Sequence, residues 1–121
     1  MMNEKILDNL FYSAILFFPL FYVLGNAVIN FSIILSIVLS TILIFKKKKF
    51  FLYREKFFIL GIIFCILVVI SSIINNENSQ IDKSLLYLRY PFFSLSIIFF
   101  YLHFSQKKII FFYKFNFILI V

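Results

Sequence analysis

Acid, glycine, proline, cysteine, histidine and tryptophan are all scarce in this 121-residue chain, and each scarcity removes a class of function. A single cysteine, Cys65, leaves no internal disulfide, and nothing resembles a zinc or haem motif. Two glycines, Gly25 and Gly61, are too few and too far apart for a phosphate-cradling loop. The five acidic residues, Glu4, Asp8, Glu55, Glu77 and Asp82, form no catalytic carboxylate pair, and there is no Ser-His-Asp set. None of the five lies inside an apolar run, where a complete proton-coupled transporter is expected to keep one.

Apolar residues make up 64% of the chain and charged residues 14%. Soluble domains average about 45–50% and 25%, and a small fold cannot hide that excess, because much of its surface stays wet. Lipid is the solvent that suits this composition. The net charge of +7 sits in short gaps between apolar runs, which reads as membrane topology and not as a nucleic-acid face. A cleavable signal peptide fits poorly, because acidic residues precede the first apolar run and no small-residue cleavage site follows it.

Residues 10–45 carry no charge. One helix of that length would measure about 54 Å against a hydrocarbon core of roughly 30 Å, so the chain must turn back. Gly25-Asn26 is the natural turn, since both residues tolerate positive φ. The expected helices are residues 10–24, kinked at Pro19, and residues 27–45, ended by Lys46 to Lys49. A third is expected at 57–74, a polar outer loop from Asn75 to Lys83, a fourth helix at 84–104, and a further apolar segment at 109–121. The fold class is therefore all-α: a polytopic helical membrane protein with four transmembrane helices and the start of a fifth. Residues 1–121 form a single membrane domain. Because the chain stops within an apolar run, it reads as truncated or as the N-terminal part of a larger protein.

With the N-terminus inside, ten Lys and Arg fall on inner segments (Lys5, Lys46 to Lys49, Arg54, Lys56, Lys107, Lys108, Lys114), and Lys83 and Arg89 on outer ones. That asymmetry sets the orientation: a cytoplasmic N-terminus.

Ser32, Ser36 and Ser40 recur every fourth residue and form a small-residue stripe for close helix approach, with a polar pathway as the other reading. Gly61 and Cys65 make a similar patch. His103, near Lys107 and Lys108, reads as an interfacial histidine, with no second ligand or carboxylate placed to make it a metal or catalytic site. Arg89, between Tyr87 and Tyr90, is the most informative charge. It either snorkels to the outer headgroups or binds a diphosphate through bidentate bonds.

Three stretches carry a resemblance to a known family. They are the tight helix pair from Phe17-Phe18-Pro19-Leu20 through Gly25-Asn26 to Ser32; the lysine stop followed by a helix ending Ile70-Ser71-Ser72-Ile73-Ile74-Asn75; and Lys83-Ser84-Leu85-Leu86-Tyr87-Leu88-Arg89-Tyr90-Pro91-Phe92-Phe93. In spacing and hydropathy they resemble the N-terminal part of the O-antigen ligase and polymerase family, whose members span the bacterial inner membrane several times. The resemblance implies a glycosyltransferase of lipopolysaccharide or polysaccharide biosynthesis. It would act at the periplasmic face on undecaprenyl-diphosphate-linked glycan, without metal or cofactor. That family's catalytic arginine and histidine lie beyond Val121, so no catalytic residue is assigned here, and Arg89 is a candidate substrate contact. Partners on this reading are the bilayer and the lipid-linked glycan, with no nucleic acid. The competing reading is a small non-catalytic membrane protein, or a piece of a flippase-type polysaccharide transporter.

Overall fold

The computed structural model describes residues 3–75 and 83–120. The expected outer loop, apart from its end residues Asn75 and Lys83, lies outside the described residues, with Glu77 and Asp82 in it. Among the described residues the chain is helical, with no strand.

Helix α1, Glu4–Leu16, starts six residues before the expected boundary. Asn3 caps it, its Oδ1 accepting the Lys5 N–H at 3.3 Å, and Glu4 in the first turn complements the helix dipole. The charges Glu4, Lys5 and Asp8 thus lie inside the helix. It ends at Phe17, and α2, Phe18–Leu24, continues at an angle of 51°. The expected kink is a full break. Pro19 has no N–H for the Ile15 carbonyl, so the ladder fails two residues ahead of the proline. Gly25, at φ +114°, makes the expected turn, and α3, Asn26–Lys46, begins immediately.

The end of α3 is closed by backbone geometry as well as by charge. Lys48 takes φ +53° and donates to the Phe45 carbonyl, while the Lys49 N–H reaches the Ile44 carbonyl at 3.0 Å. A lysine thus occupies the left-handed position usually given to glycine. A short 3-10 helix, Phe50–Arg54, leads into α4, Lys56–Ile74.

The expected helix at 84–104 is interrupted. A helical turn at 83–86 passes through a tight turn at Tyr87 and Leu88 into α5, Arg89–His103. The cause is Pro91, which cannot donate to the Tyr87 carbonyl. Tyr90 bonds that carbonyl instead, and Leu88 bonds Leu85, both three residues back. Helix α6, Gln106–Ile120, follows Phe104 and Ser105.

Three helices are long and apolar enough to cross a membrane: Asn26–Lys46, Lys56–Ile74 and Lys83–His103. The bent pair α1–α2 makes a fourth if it counts as one span. Three or four crossings are thus shown by length and composition among the described residues. The first segment is split by the Phe17 break. Helix α6, at 15 residues or about 22 Å, falls short of a core of roughly 30 Å. The protein is a helical membrane protein on this length and composition.

Helix α3 is the centre of the bundle. It packs against α1, α2 and α5, and 39% of its apolar window is buried, against 11% for α4. The core between α1, α3 and α5 is built from Phe11, Leu43, Ile44, Leu95, Phe99 and Phe100. Phe11 lies 5.6 Å from Phe99 and 6.1 Å from Phe104, ring centre to ring centre. Tyr12 pins α6 to α1: its hydroxyl donates to the Lys108 carbonyl at 3.0 Å, and the Lys108 ammonium lies 5.2 Å from its ring.

Candidate functional site

Two polar constellations stand out in the apolar bundle, one at each end of α5.

The first joins three elements at the lysine-rich end. Asp8 comes from the second turn of α1, Lys47 caps α3, and His103 is the last residue of α5. Lys47 Nζ donates to Asp8 Oδ1 at 3.0 Å and Oδ2 at 2.9 Å, and sits 2.7 Å from His103 Nε2. His103 Nε2 is 3.1 Å from Asp8 Oδ1. The side chains are 16–23% exposed, so the cluster is largely withdrawn from water yet open to it. The imidazole lies flat against Phe99, 5.0 Å between ring centres and 10° between planes, and Phe104 meets it edge-on. Lys49 rests over the opposite part of the same aromatic wall, 5.7 Å from the Phe99 ring.

The structure thus sets a carboxylate, Asp8, against the interfacial His103. Asp8 reaches it because α1 starts early and runs antiparallel to α3, which brings residue 8 level with residue 47. A sequence signal existed. Ser32, Ser36, Ser40 and Lys47 share one face of α3, and Ser96 and His103 lie seven residues apart on one face of α5. Lys47 and His103 continue the serine stripe rather than belonging to the surface.

The stripe itself packs helices, as its spacing suggested. Ser32, Ser36 and Ser40 are buried, and Ser40 Oγ meets Ser96 Oγ at 2.7 Å between α3 and α5. Ser36 Oγ is buried without a hydrogen-bond partner. Between these serines and the Asp8 cluster stand Leu43, Ile44 and Phe99, each fully buried. That apolar layer separates the two polar groups, so they do not form one path.

The second constellation is at the opposite end of α5. Arg89 Nη2 donates to the Tyr90 hydroxyl at 3.1 Å, and the guanidinium lies 5.0 Å from the Tyr90 ring. Its Nε is buried without a partner. Tyr87 stands against Tyr90, 6.1 Å between ring centres. The adjoining groove between α4 and α5 has a volume of about 260 Å³ and is lined by Phe57, Gly61, Cys65, Tyr87, Tyr90 and Ser94, among others. Gly61 is where the helices come closest, since a Cβ there would stand 3.1 Å from the Pro91 ring. Cys65 is buried in the same seam. The small patch at Gly61 and Cys65 is therefore a packing feature, and it shapes the groove.

Among the described residues no group of three His, Cys, Asp or Glu is placed to hold a metal ion. No family model, curated protein or solved structure matches the chain.

Proposed function

We propose that this chain is the membrane-embedded part of a lipid-linked polysaccharide glycosyltransferase, of the O-antigen ligase or polymerase type. Its role is to hold the undecaprenyl-diphosphate end of a glycan donor at the periplasmic face. The observation that carries the reading is Arg89: a guanidinium braced on Tyr90, with an unbonded Nε, beside an apolar groove between two helices. A guanidinium in such a position is costly unless it has an anion to meet, and a diphosphate offers oxygens in the geometry its fork prefers. The apolar groove suits an isoprenoid tail lying alongside. Lysine and arginine counts support an orientation with the Asp8 cluster in the cytoplasm; Arg89, at the other end of α5, lies level with the first turns of α4, where Gly61 meets Pro91. In this reading the segments at 10–24, 27–45, 57–74 and 84–104 each cross, and 109–121 begins a fifth crossing.

The competing transporter reading asks for a polar route across the bundle. The buried layer of Leu43, Ile44 and Phe99 between the serine stripe and the charged cluster weighs against it.

The test replaces Arg89 in the full-length protein and measures glycan transfer in cells at matched expression. Arg89→Ala should lower transfer at least tenfold, and Arg89→Lys should recover only part of it, because an ammonium keeps the charge and loses the bidentate geometry. Wild-type transfer by Arg89→Ala would remove Arg89 from the site.

A further inference from the structure

The Asp8–Lys47–His103 cluster has a proton count that its geometry constrains. An ammonium carries three N–H groups. The two carboxylate oxygens accept from it at 3.0 and 2.9 Å, which leaves an N–H for the 2.7 Å contact to His103 Nε2. The Lys47 contact favours a lone pair on Nε2 and the 3.1 Å contact to Asp8 Oδ1 favours an N–H there; the shorter contact points to a resting ring that is neutral with its proton on Nδ1. The cluster as drawn is therefore electrically balanced: one carboxylate, one ammonium and one neutral ring.

Adding a proton at Nε2 changes the sign of the shortest contact. Two N–H groups would then face each other across 2.7 Å, and two cations would share one carboxylate. Asp8 Oδ1 already lies 3.1 Å from Nε2, so the new N–H has an acceptor without any movement of the ring. Which cation leaves follows from how each is held. The His103 ring is fixed flat on Phe99 and edge-on to Phe104, and an imidazolium gains from both the aromatic faces and the carboxyl end of α5. Lys47 is a flexible stem within a four-lysine run and is 19% exposed.

We propose that Asp8, Lys47 and His103 form a proton-operated clamp. Uptake of one proton at His103 Nε2 transfers the Asp8 carboxylate from Lys47 to His103 and releases the lysine end of α3. The surrounding charges favour that direction of release. From α1 come Glu4 and Lys5 one turn before Asp8; from the end of α3, Lys46, Lys48 and Lys49; from the 3-10 helix, Arg54; and from α6, Lys107 and Lys108. Cations outnumber acids around the cluster, so a second positive charge inside it is best relieved by moving one outward. The clamp ties α1 and α5 together in both states and ties α3 only in the neutral one. It is independent of the glycan reading, because it involves the opposite end of α5 from Arg89.

Two measurements on the 121-residue chain in lipid vesicles test it. His103 is the only histidine, so nitrogen NMR of histidine-labelled protein carrying a histidine-free affinity tag reads it alone. The expected spectrum near neutral pH is the Nδ1–H tautomer with an accepting Nε2. A neutral ring protonated at Nε2 would overturn the proposal. Spin labels at positions 48 and 106, in a Cys65→Ser background, then report the distance from the end of α3 to the start of α6 by pulsed EPR. A longer population should grow as pH falls between about 8 and 5, the range in which a histidine changes charge. His103→Gln, whose side-chain oxygen accepts from Lys47 and takes up no proton, should stay in the short state throughout. A wild-type distance that ignores pH, or a His103→Gln protein that responds as wild type does, refutes the clamp.

Discussion

Removing Asp8 should destabilise the bundle out of proportion to the size of the side chain. In Asp8→Ala, Lys47 loses two charge-assisted bonds of 2.9–3.0 Å and stays beside His103 with its charge unbalanced. Truncating one partner of a fully buried ion pair costs about 3–5 kcal/mol, and an exposed pair is worth about 0.2–1 kcal/mol. With Lys47 and Asp8 side chains 19% and 23% exposed, the cost lies between these limits, at about 2 kcal/mol. For a chain of this size that corresponds to a fall in Tm of roughly 8 °C. Cys65 is the natural reporter: it is the single thiol, it is buried against α5, and a fluorogenic maleimide reaches it only when the bundle opens. The assay is a thermal ramp of the detergent-solubilised chain. Lys47→Met should cost less, because His103 can then carry its proton on Nε2 and donate to Asp8, and the Asp8→Ala/Lys47→Met double variant should recover part of the loss by leaving neither charge alone. Strict additivity of the two single changes, or a Tm within about 1 °C of wild type for Asp8→Ala, would show that the pair contributes nothing.

Two further outcomes follow from the packing. Phe11→Ala empties a fully buried site between Phe99, Phe100 and Phe104; because lipid is as apolar as the core, the loss is mainly of packing, about 2–3 kcal/mol, and should appear as a lower Tm in the same ramp. Gly61→Val drives a branched side chain into the Pro91 ring, where even a Cβ would stand at 3.1 Å. It should cost about 1–3 kcal/mol and lower the temperature at which the chain aggregates on size-exclusion chromatography; an unchanged profile would mean that α4 and α5 do not meet there.

What sequence alone determined is the solvent and the outline. An uncharged run of 36 residues, a lysine stop and an apolar stretch at 57–74 leave a helical membrane protein as the one economical answer, since backbone groups in lipid must bond within their own helix. Gly25 as the turn, the serine stripe as a packing face and Arg89 as an anomalous charge were all legible, because each depends on a residue's own conformational or solvation preference. The helix ends were less so. The break at Phe17 and the turn at Tyr87–Leu88 arise from prolines two and four residues downstream, and the start of α1 from a cap at Asn3. The Asp8 cluster depended on tertiary structure entirely. Asp8, Lys47 and His103 are separated by 39 and 56 residues, and each taken alone is an unremarkable interfacial charge. Only the packing of α1 against α3 and α5, which run parallel to each other and antiparallel to α1, brings them within 3.1 Å of one another, where the low local dielectric turns three separate residues into one coupled group.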